Sequence, residues 1–357
     1  MKAKTILVTG GAGFIGSNLA INLAKENPNI TIISLDNLKR RGSETSLQEF
    51  RKWSNIRFFH GDIRNDEDLQ FKGKIDLIIE CSAEPSVLAG HDNPKYLVNT
   101  NLLGTINCLE LARKHKAAFI FLSTSRVYPV RLLSTIKYSQ AETRFNLDKK
   151  QAIAGVTEKG ISESFPLEGY RSLYGTSKLA SEFLINEYAQ LYGLSVVINR
   201  CGLVAGPRQM GKTDQGVVTH WIIKHLWGKE ITYIGFNGSG KQVRDVLHVS
   251  DLYNALKWQI ANLSKVRSNV FNLGGGPENA ISLFELTTIV QKVTGKTIKI
   301  KREKSNRRDD IPLYITDYSK FHRMSGWKPK ITPTQTVKDI FSWLKSDQKQ
   351  LKPILNQ

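Results

Sequence analysis

A glycine cluster between two apolar runs limits the possible folds of this chain more than any other stretch. Thr5–Val8 is a short apolar run, and the segment GGAGFIG at residues 10–16 follows it. Apolar residues then recur at helical spacing from Phe14 to about Ala24, and a second apolar run, Thr31–Leu35, ends on Asp36. This order of strand, glycine turn, helix and strand is typical of the first unit of a dinucleotide-binding sheet. We therefore predict that the rest of the chain is built around this unit.

The glycines of this turn have separate physical tasks. Gly10 permits the turn, Gly13 lets the backbone approach a pyrophosphate, and Gly16 lets the helix pack against the strand. The phosphates are expected over the free N–H groups of the first helical residues, Phe14 and Ile15. Small residues also close such turns for packing alone. Asp36, at the end of the second apolar run, supports the dinucleotide interpretation.

The acid at the end of the second strand bears on the choice of cofactor. The carboxylate of Asp36 can accept both hydroxyls of an adenosine ribose and would repel a 2′-phosphate. This favours NAD over NADP, although the basic run Lys39–Arg41 weakens the preference.

Alternating short strands and helices continue after Asp36 and predict an α/β protein with a Rossmann-type, doubly wound parallel sheet. We predict an NAD-binding domain at residues 1–200 and a smaller C-terminal α/β substrate domain at 201–357, with some exchange of chain between them. Ligands of such sheets lie along the carboxyl ends of the strands. An acid after the third strand can contact adenine or cap a helix equally well. The further cofactor contacts predicted on this basis are Asn37, Asp62, Ile63, Ser82, Ala83 and Asn101.

Two stretches carry weaker signals of secondary structure. Residues Pro129–Arg171 are polar and irregular, which predicts a long loop. Residues Val246–Asn262 are predicted to be mostly helical.

The composition narrows the classes of function. With 51 Lys and Arg against 32 Asp and Glu, the formal net charge is +19. Nucleic-acid binding, an anionic substrate or simply a basic surface would each explain this charge. The basic residues are spread along the chain without an arginine-rich arm or a nucleic-acid module, so we do not expect a nucleic-acid partner.

Further features of the sequence bear on the cellular location of the protein. The apolar runs are too short to cross a bilayer, and the N-terminus enters a strand directly, so neither a membrane span nor a signal peptide is expected. Three cysteines, Cys81, Cys108 and Cys201, lie in apolar stretches without metal-ligand spacing. We therefore expect a cytoplasmic protein with reduced cysteines and without a metal site, and we expect it to form a homo-oligomer.

The segment Tyr174-Gly-Thr-Ser-Lys178 is the second motif that carries chemistry. Residues four apart share a helix face, so the ammonium group lies near the phenol and lowers its pKa. Such a tyrosine can take a hydroxyl proton while NAD takes the hydride from the same carbon. Thr124, after a central strand, can hydrogen-bond the reacting oxygen. The alternative interpretations are that Tyr174 and Lys178 lie on a solvated helix face and that Thr124 is an ordinary strand-end cap.

Together, GGAGFIG, Asp36, the STSRVY strand end, YGTSK and GSGKQVRDVLHVSD resemble the extended short-chain dehydrogenase/reductase family over nearly the whole chain. Members of that family are mostly nucleotide-sugar epimerases, dehydratases and reductases. The resemblance implies that Tyr174 is the base, that Lys178 binds the nicotinamide ribose and orients the tyrosine, and that Thr124 is the third member of the site.

Departures from the family patterns narrow the range of reactions that the chain is expected to catalyse. In the 4,6-dehydratases an Asp–Glu pair follows the threonine, whereas this chain has Ser125 and Arg126, which argues against dehydration. UDP-galactose-type 4-epimerases carry RxxNxYGP, and Leu203 stands here in place of the Asn. The chain is most similar to the CDP-paratose 2-epimerase subgroup, through STSRVY, KYSQAETR, Arg208-Gln209, Asp214-Gln215-Gly216 and GKQVRDVLH.

That similarity implies NAD-dependent epimerisation at C2 of a CDP-hexose. A UDP-hexose 4-epimerase is the alternative enzyme, and a non-catalytic NAD-binding scaffold is the alternative outside enzymes. Arg244, and Arg307 of the RRDD stretch, would hold the pyrophosphate, since a guanidinium suits phosphate oxygens. An exposed charge run is the other interpretation of Arg307. The full set of expected substrate contacts is Ser125, Arg126, Arg208, Gln215, Arg244 and Arg307.

Overall fold

The glycine turn leads into a parallel sheet, as the sequence predicts. The computed structural model describes residues 3–212, 215–307 and 309–355. The strands of these residues are β1 Thr5–Thr9, β2 Thr31–Asp36, β3 Ile56–His60, β4 Leu77–Glu80, β5 Ala118–Thr124, β6 Tyr138–Gln140, β7 Phe145–Leu147, β8 Val156–Thr157, β9 Gly160–Ile161, β10 Val196–Cys201, β11 Leu203–Ala205, β12 Ile231–Ile234, β13 Val243–His248, β14 Asn269–Leu273, β15 Ala280–Ser282, β16 Ile300–Glu303 and β17 Leu313–Tyr314.

Helices follow most of the sheet strands. They are α1 Phe14–Glu26, α2 Ser46–Phe50, α3 Ala89–Asp92, α4 Pro94–Val98, α5 Gly104–His115, α6 Val130–Leu133, α7 Leu173–Tyr192, α8 Val217–Leu226, α9 Val249–Ala261, α10 Leu263–Val266, α11 Leu283–Thr294, α12 Ser319–Ser325, α13 Pro333–Ser346 and α14 Gln348–Leu355. A single π-helical turn, Asn99–Leu103, joins α4 to α5.

The main sheet has seven parallel strands in the order β14-β10-β5-β4-β1-β2-β3. The strand order reverses between β1 and β4, which is the switch point where ligands bind in doubly wound sheets. Strands β1, β4 and β5 are buried almost throughout, because helices cover both faces of a parallel sheet. This confirms the predicted fold class.

The chain divides into two compact units. The first comprises residues 1–124, 173–200 and 253–271, and it contains the glycine turn and most of the main sheet. Its core includes Leu7, Ile78, Phe119 and Ile198. The second comprises residues 125–172, 201–252 and 272–357, and its core joins residues of α8, α11 and α13. A functional boundary at residue 200 stays a prediction.

One expectation about secondary structure is wrong, and another holds for most of its residues. The stretch Pro129–Arg171 contains helix α6 and two short hairpins, β6–β7 and β8–β9. All three residues of β6 are exposed, so the alternation of apolar residues that marks a strand is missing there. The prediction of a mostly helical stretch at Val246–Asn262 is confirmed by α9, but residues 246–248 belong to strand β13, because they pair with β11.

Candidate active site and cofactor site

The glycine turn after β1 leaves no room for a side chain at Gly10 or Gly16. Gly10 has φ +60°, and a Cβ there would lie 2.9 Å from the backbone of Cys81 and Ser82. A Cβ on Gly16 would lie 2.1 Å from the carbonyl oxygen of Gly10. A Cβ on Gly13, in contrast, would meet only Gly10 O at 3.2 Å and Asp36 Oδ2 at 4.0 Å. Packing therefore requires glycine at positions 10 and 16.

The N-terminus of α1 is left open for an anion. Gly13 is its N-cap, provides no side-chain hydrogen bond, and no acidic residue lies in the first turn. Helix N-termini attract negative charge through their N–H groups and dipole. The turn thus fits the pyrophosphate of a dinucleotide, with Phe14 and Ile15 as the first helical residues.

Asp36 ties the glycine turn to the end of β2. Its Oδ2 accepts hydrogen bonds from the N–H groups of Ala12 (3.0 Å) and Gly13 (3.1 Å), and Oδ1 accepts one from Leu38 (2.8 Å). Burial raises the pKa of this carboxyl, against the lowering effect of the backbone donors. A carboxylate has about four acceptor sites, so capacity remains for a ribose hydroxyl.

The predicted adenine-side residues form their own hydrogen-bonded cluster. Asn37 Nδ2 donates to Asp62 Oδ2 at 2.8 Å, and Arg64 forms an ion pair with the same carboxylate at 2.6 Å. Burial opposes ionisation, but the hydrogen bonds from Arg64 and Asn37 lower the pKa of Asp62 to about 2. Ile63 is buried, and its side chain packs against Gly104. The Asp62 carboxylate therefore organises a local turn, and its contact with adenine stays a prediction.

Asn101 supports the segment that follows β4. It is fully buried, its Oδ1 accepts the N–H of Glu84 at 2.7 Å, and its Nδ2 donates to Glu84 O at 3.1 Å. Ser82 and Ala83, directly before Glu84, are partly exposed at the carboxyl end of β4. Asn101 therefore fixes the backbone at which the cofactor contacts are predicted.

The predicted catalytic residues all belong to the first unit. Helix α7 begins one residue before Tyr174, which is partly buried, and Lys178 is 1% exposed. The Lys178 ammonium lies 3.8 Å from the centre of the Phe121 ring on β5. Thr124 is the last residue of the same strand and is buried. The structure thus packs the Tyr–Lys face of α7 against the strand that ends in Thr124.

Sequence reasoning missed the group that holds α7 against β5. Glu182 lies four residues after Lys178, on the same helix face, and is 2% exposed. Its carboxylate pairs with Arg200 of β10 at 2.7 Å and accepts a hydrogen bond from the hydroxyl of Ser123, next to Thr124. The spacing of Tyr174, Lys178 and Glu182 at intervals of four was the available signal.

In the second unit, two of the predicted substrate arginines come together. Arg244 donates to Asp310 Oδ1 at 3.2 Å and to Ile311 O at 3.0 Å, and Arg126 donates to Asp309 O at 3.4 Å. Burial lowers the pKa of Arg244 to about 10; Asp310 opposes this, and the charge of Arg126 adds to it. Paired positive charges of this kind suit an anionic ligand.

Arg307 lies on the turn that carries these carboxylates. Its carbonyl accepts the N–H of Asp310 at 3.2 Å, and its side chain is exposed. We call Arg126, Arg244 and Arg307 the arginine cluster.

The remaining predicted substrate residues are placed separately. Ser125 opens a short 3₁₀ turn, Arg208 has φ +71°, and Gln215 pairs through its backbone with Lys212. Asp214 and Arg308, which belong to the quoted motifs, lie outside the described residues.

No group of three or more His, Cys, Asp or Glu side chains in ranges 3–212, 215–307 and 309–355 could hold a metal ion. Within the same part of the chain, no helix combines the length and the apolar character that a membrane span requires.

Comparisons with known proteins agree with this geometry. Residues 6–274 match the NAD dependent epimerase/dehydratase family. The chain is 33% identical to a CDP-paratose 2-epimerase of Salmonella typhi over 351 residues, covering 96% of this chain and 99% of that protein. It is 30% identical to a UDP-glucuronate 4-epimerase of Thermodesulfobacterium geofontis, covering 98% of both chains.

A solved structure supports the same conclusion. The UDP-glucose 4-epimerase of Thermus thermophilus, determined as a complex with NAD, aligns with a TM-score of 0.75 at 25% identity. The alignment covers 96% of this chain and 99% of that one. The glycine turn, Asp36 and the Tyr–Lys face of α7 are the features expected of an enzyme that uses NAD. The chain therefore belongs to the NAD-dependent epimerase/dehydratase family.

Proposed function

We propose that this enzyme inverts C2 of a CDP-linked hexose by transient oxidation. One observation carries the catalytic part of the proposal. Tyr174 and Lys178 share the face of α7 that packs on β5, the strand that ends in Thr124, in the unit that also holds the glycine turn.

The residues have distinct chemical tasks in this proposal. NAD, when bound, supplies the chemistry of accepting a hydride from carbon and returning it. The Tyr174 phenol oxygen takes the proton of the sugar hydroxyl and later gives it back. The positive charge of Lys178 makes the phenolate accessible near neutral pH. The Thr124 hydroxyl hydrogen-bonds the reacting oxygen.

The choice of reaction rests on this chain's departures from other family patterns. Ser125 and Arg126 follow Thr124, so the acid–base pair that an elimination needs is missing from those positions. The relative from Salmonella typhi, whose name specifies C2 of a CDP sugar, aligns over 96% of this chain. A UDP-hexose 4-epimerase is the second candidate, because 4-epimerases also align over nearly the full length. The homo-oligomeric state stays a prediction.

A panel of CDP-, UDP-, GDP- and dTDP-hexoses tests the proposed function. Purified protein with NAD is incubated with each sugar, and products of unchanged mass are separated. We expect a CDP-hexose to equilibrate with its C2 epimer. Exclusive formation of a C4 epimer from a UDP-hexose, or a product lighter by one water, would overturn the proposal.

Replacing Arg244 or Arg307 with alanine is expected to raise KM for the nucleotide sugar by roughly 10- to 100-fold, with a smaller effect on kcat. Each change removes a charge-assisted hydrogen bond worth about 1.5–3 kcal/mol to a phosphate that changes little during the reaction. Steady-state kinetics measure both constants. Arg323→Ala is a matched control, because Arg323 is an exposed arginine on α12. Parent-like KM values in both cluster variants would place the pyrophosphate elsewhere.

A further inference from the structure

A glutamate lies buried within the catalytic unit, behind Lys178. Glu80 is the last residue of β4 and is completely buried. In the parallel sheet it pairs with Thr9 of β1 on one side and with Phe121 of β5 on the other. Paired residues of neighbouring strands present their side chains on the same face of a sheet. Since the Lys178 ammonium lies over the Phe121 ring, Glu80 and Lys178 occupy the same face.

The groups that face Glu80 come from three neighbouring elements. Thr105 of α5 donates a hydrogen bond to Oε1 at 2.7 Å. Cys108, also of α5, has a thiol pKa raised by burial and by the charge of Glu80. From α7, the positive charge of Lys178 favours the ionised form of Glu80. From β1, the buried Thr9 hydroxyl lies on the paired residue.

One oxygen of the Glu80 carboxyl makes no hydrogen bond to the described residues. Among the described residues, Glu80 Oε2 is buried and has no hydrogen-bond partner, and the same is true of Thr9 Oγ1. A buried carboxylate with an unsatisfied oxygen is costly to ionise. Accordingly, burial raises the pKa of Glu80 to about 7, against the lowering effects of Lys178 and Thr105. The charge beside Lys178 therefore changes near neutral pH.

The effect of Glu80 on the pKa of the Tyr174 phenol differs between the protonated and the ionised carboxyl. With Glu80 protonated, the positive charge of Lys178 is not offset by this carboxyl and favours phenolate at Tyr174. With Glu80 ionised, the negative charge offsets that of Lys178, so the phenol pKa rises. Because Lys178 is charged next to a neutral Glu80 in the first state, a glutamine at position 80 reproduces that state.

We propose that Glu80 is a positioning residue that acts through Lys178 and sets the pH range in which Tyr174 exchanges its proton. The inference rests on the proposed function for the role of Tyr174 as the base. The buried Glu80–Lys178 arrangement itself does not depend on which sugar is bound.

The test compares the parent enzyme with Glu80→Gln over a range of pH. We expect kcat/KM of the variant to reach its plateau at lower pH than that of the parent, with the difference confined to the range near and above pH 7 in which Glu80 of the parent is ionised. A profile that coincides with the parent's would overturn the proposal. Glu110→Gln is the control, because Glu110 is also a glutamate near α7 but forms an exposed ion pair with Arg113. Its profile should not move.

A second measurement needs no substrate and so separates this inference from the proposed function. The ultraviolet titration of the substrate-free protein minus that of its Tyr174→Phe variant isolates the phenol of Tyr174. We expect this phenol to titrate at lower pH when Glu80 is replaced by glutamine. Unchanged titration would contradict the inference even if the enzyme proved to be an epimerase, whereas a shift would support it even if the sugar panel failed.

Thr105→Val keeps the test decisive if Glu80→Gln does not fold. Loss of the hydrogen bond to Oε1 removes a contact that favours ionisation, so Glu80 stays neutral to higher pH. We expect the Tyr174 phenol to shift in the same direction as in Glu80→Gln, by a smaller amount. A shift in the opposite direction would overturn the proposal.

Discussion

Replacing Tyr174 with phenylalanine is expected to lower kcat by roughly 10²–10⁴-fold, the usual contribution of a positioned acid or base. The substitution removes only the phenol oxygen and keeps the ring near the start of α7. The glycine turn after β1 is separate in sequence, so bound NAD should remain. Turnover of the active nucleotide sugar and NAD released on denaturation are the two measurements.

Two variants serve as controls for this change. Tyr192→Phe alters an exposed tyrosine at the other end of the same helix and should leave kcat unchanged. Thr124→Val should cost less than Tyr174→Phe, because a hydrogen bond to the reacting oxygen is lost while the base remains. Near-normal turnover in Tyr174→Phe would remove this residue from the mechanism.

Replacing Glu182 with alanine is expected to lower the free energy of unfolding by roughly 3–5 kcal/mol. Both members of the Glu182–Arg200 pair are almost fully buried, with side chains 2% and 5% exposed. Removing Glu182 takes the carboxylate partner away from the buried guanidinium, and it also removes the oxygen that accepts the Ser123 hydroxyl. Denaturant unfolding of the two proteins measures the difference.

The matched control replaces both charges with apolar groups, as Glu182→Leu with Arg200→Met. Such replacements are often neutral or stabilising, because neither charge then needs to be desolvated. We expect the double variant to recover most of the lost stability. A loss below about 1 kcal/mol in Glu182→Ala would show that the pair does not fix α7, since exposed pairs contribute that little.

The fold was predictable from sequence where one short segment determined it. The GGAGFIG turn, the buried strand before it and Asp36 after the next strand are local, and their geometry follows from steric limits on glycine and from strand burial. Residues 246–248 were predicted as helix because a short apolar run fits either period. Their pairing with residues 203–205 of β11 joins positions far apart in the sequence, which a local pattern does not show.

Within the candidate site, residues of one helix were predictable from sequence, whereas residues brought together by the order of the strands were not. The Tyr174–Lys178 spacing places both residues on one helix face without any tertiary information. Glu80 was visible only as an acid inside an apolar run, and its burial beside Lys178 depends on the order of β1, β4 and β5. The pairing of Arg200 with Glu182 likewise depends on the position of β10 beside β5.

The fate of one hydrogen shows whether the sugar is oxidised and reduced again on the enzyme. Inversion by carbon deprotonation would need an acidified C–H and a base on each face of the ring. The sequence offers one such base, Tyr174, and Ser125 and Arg126 stand where the dehydratases have an acid–base pair. Transient oxidation instead carries the carbon-bound hydrogen away from one face and back to the other, without exchange with water.

The direct measurement is epimerisation in heavy water, followed by mass and nuclear magnetic resonance analysis of the product. We predict an inverted sugar with no deuterium at the reacting carbon. Substrate deuterated at that carbon should keep its label and react more slowly. One solvent deuterium per turnover at that carbon would rule out transient oxidation, even with NAD bound.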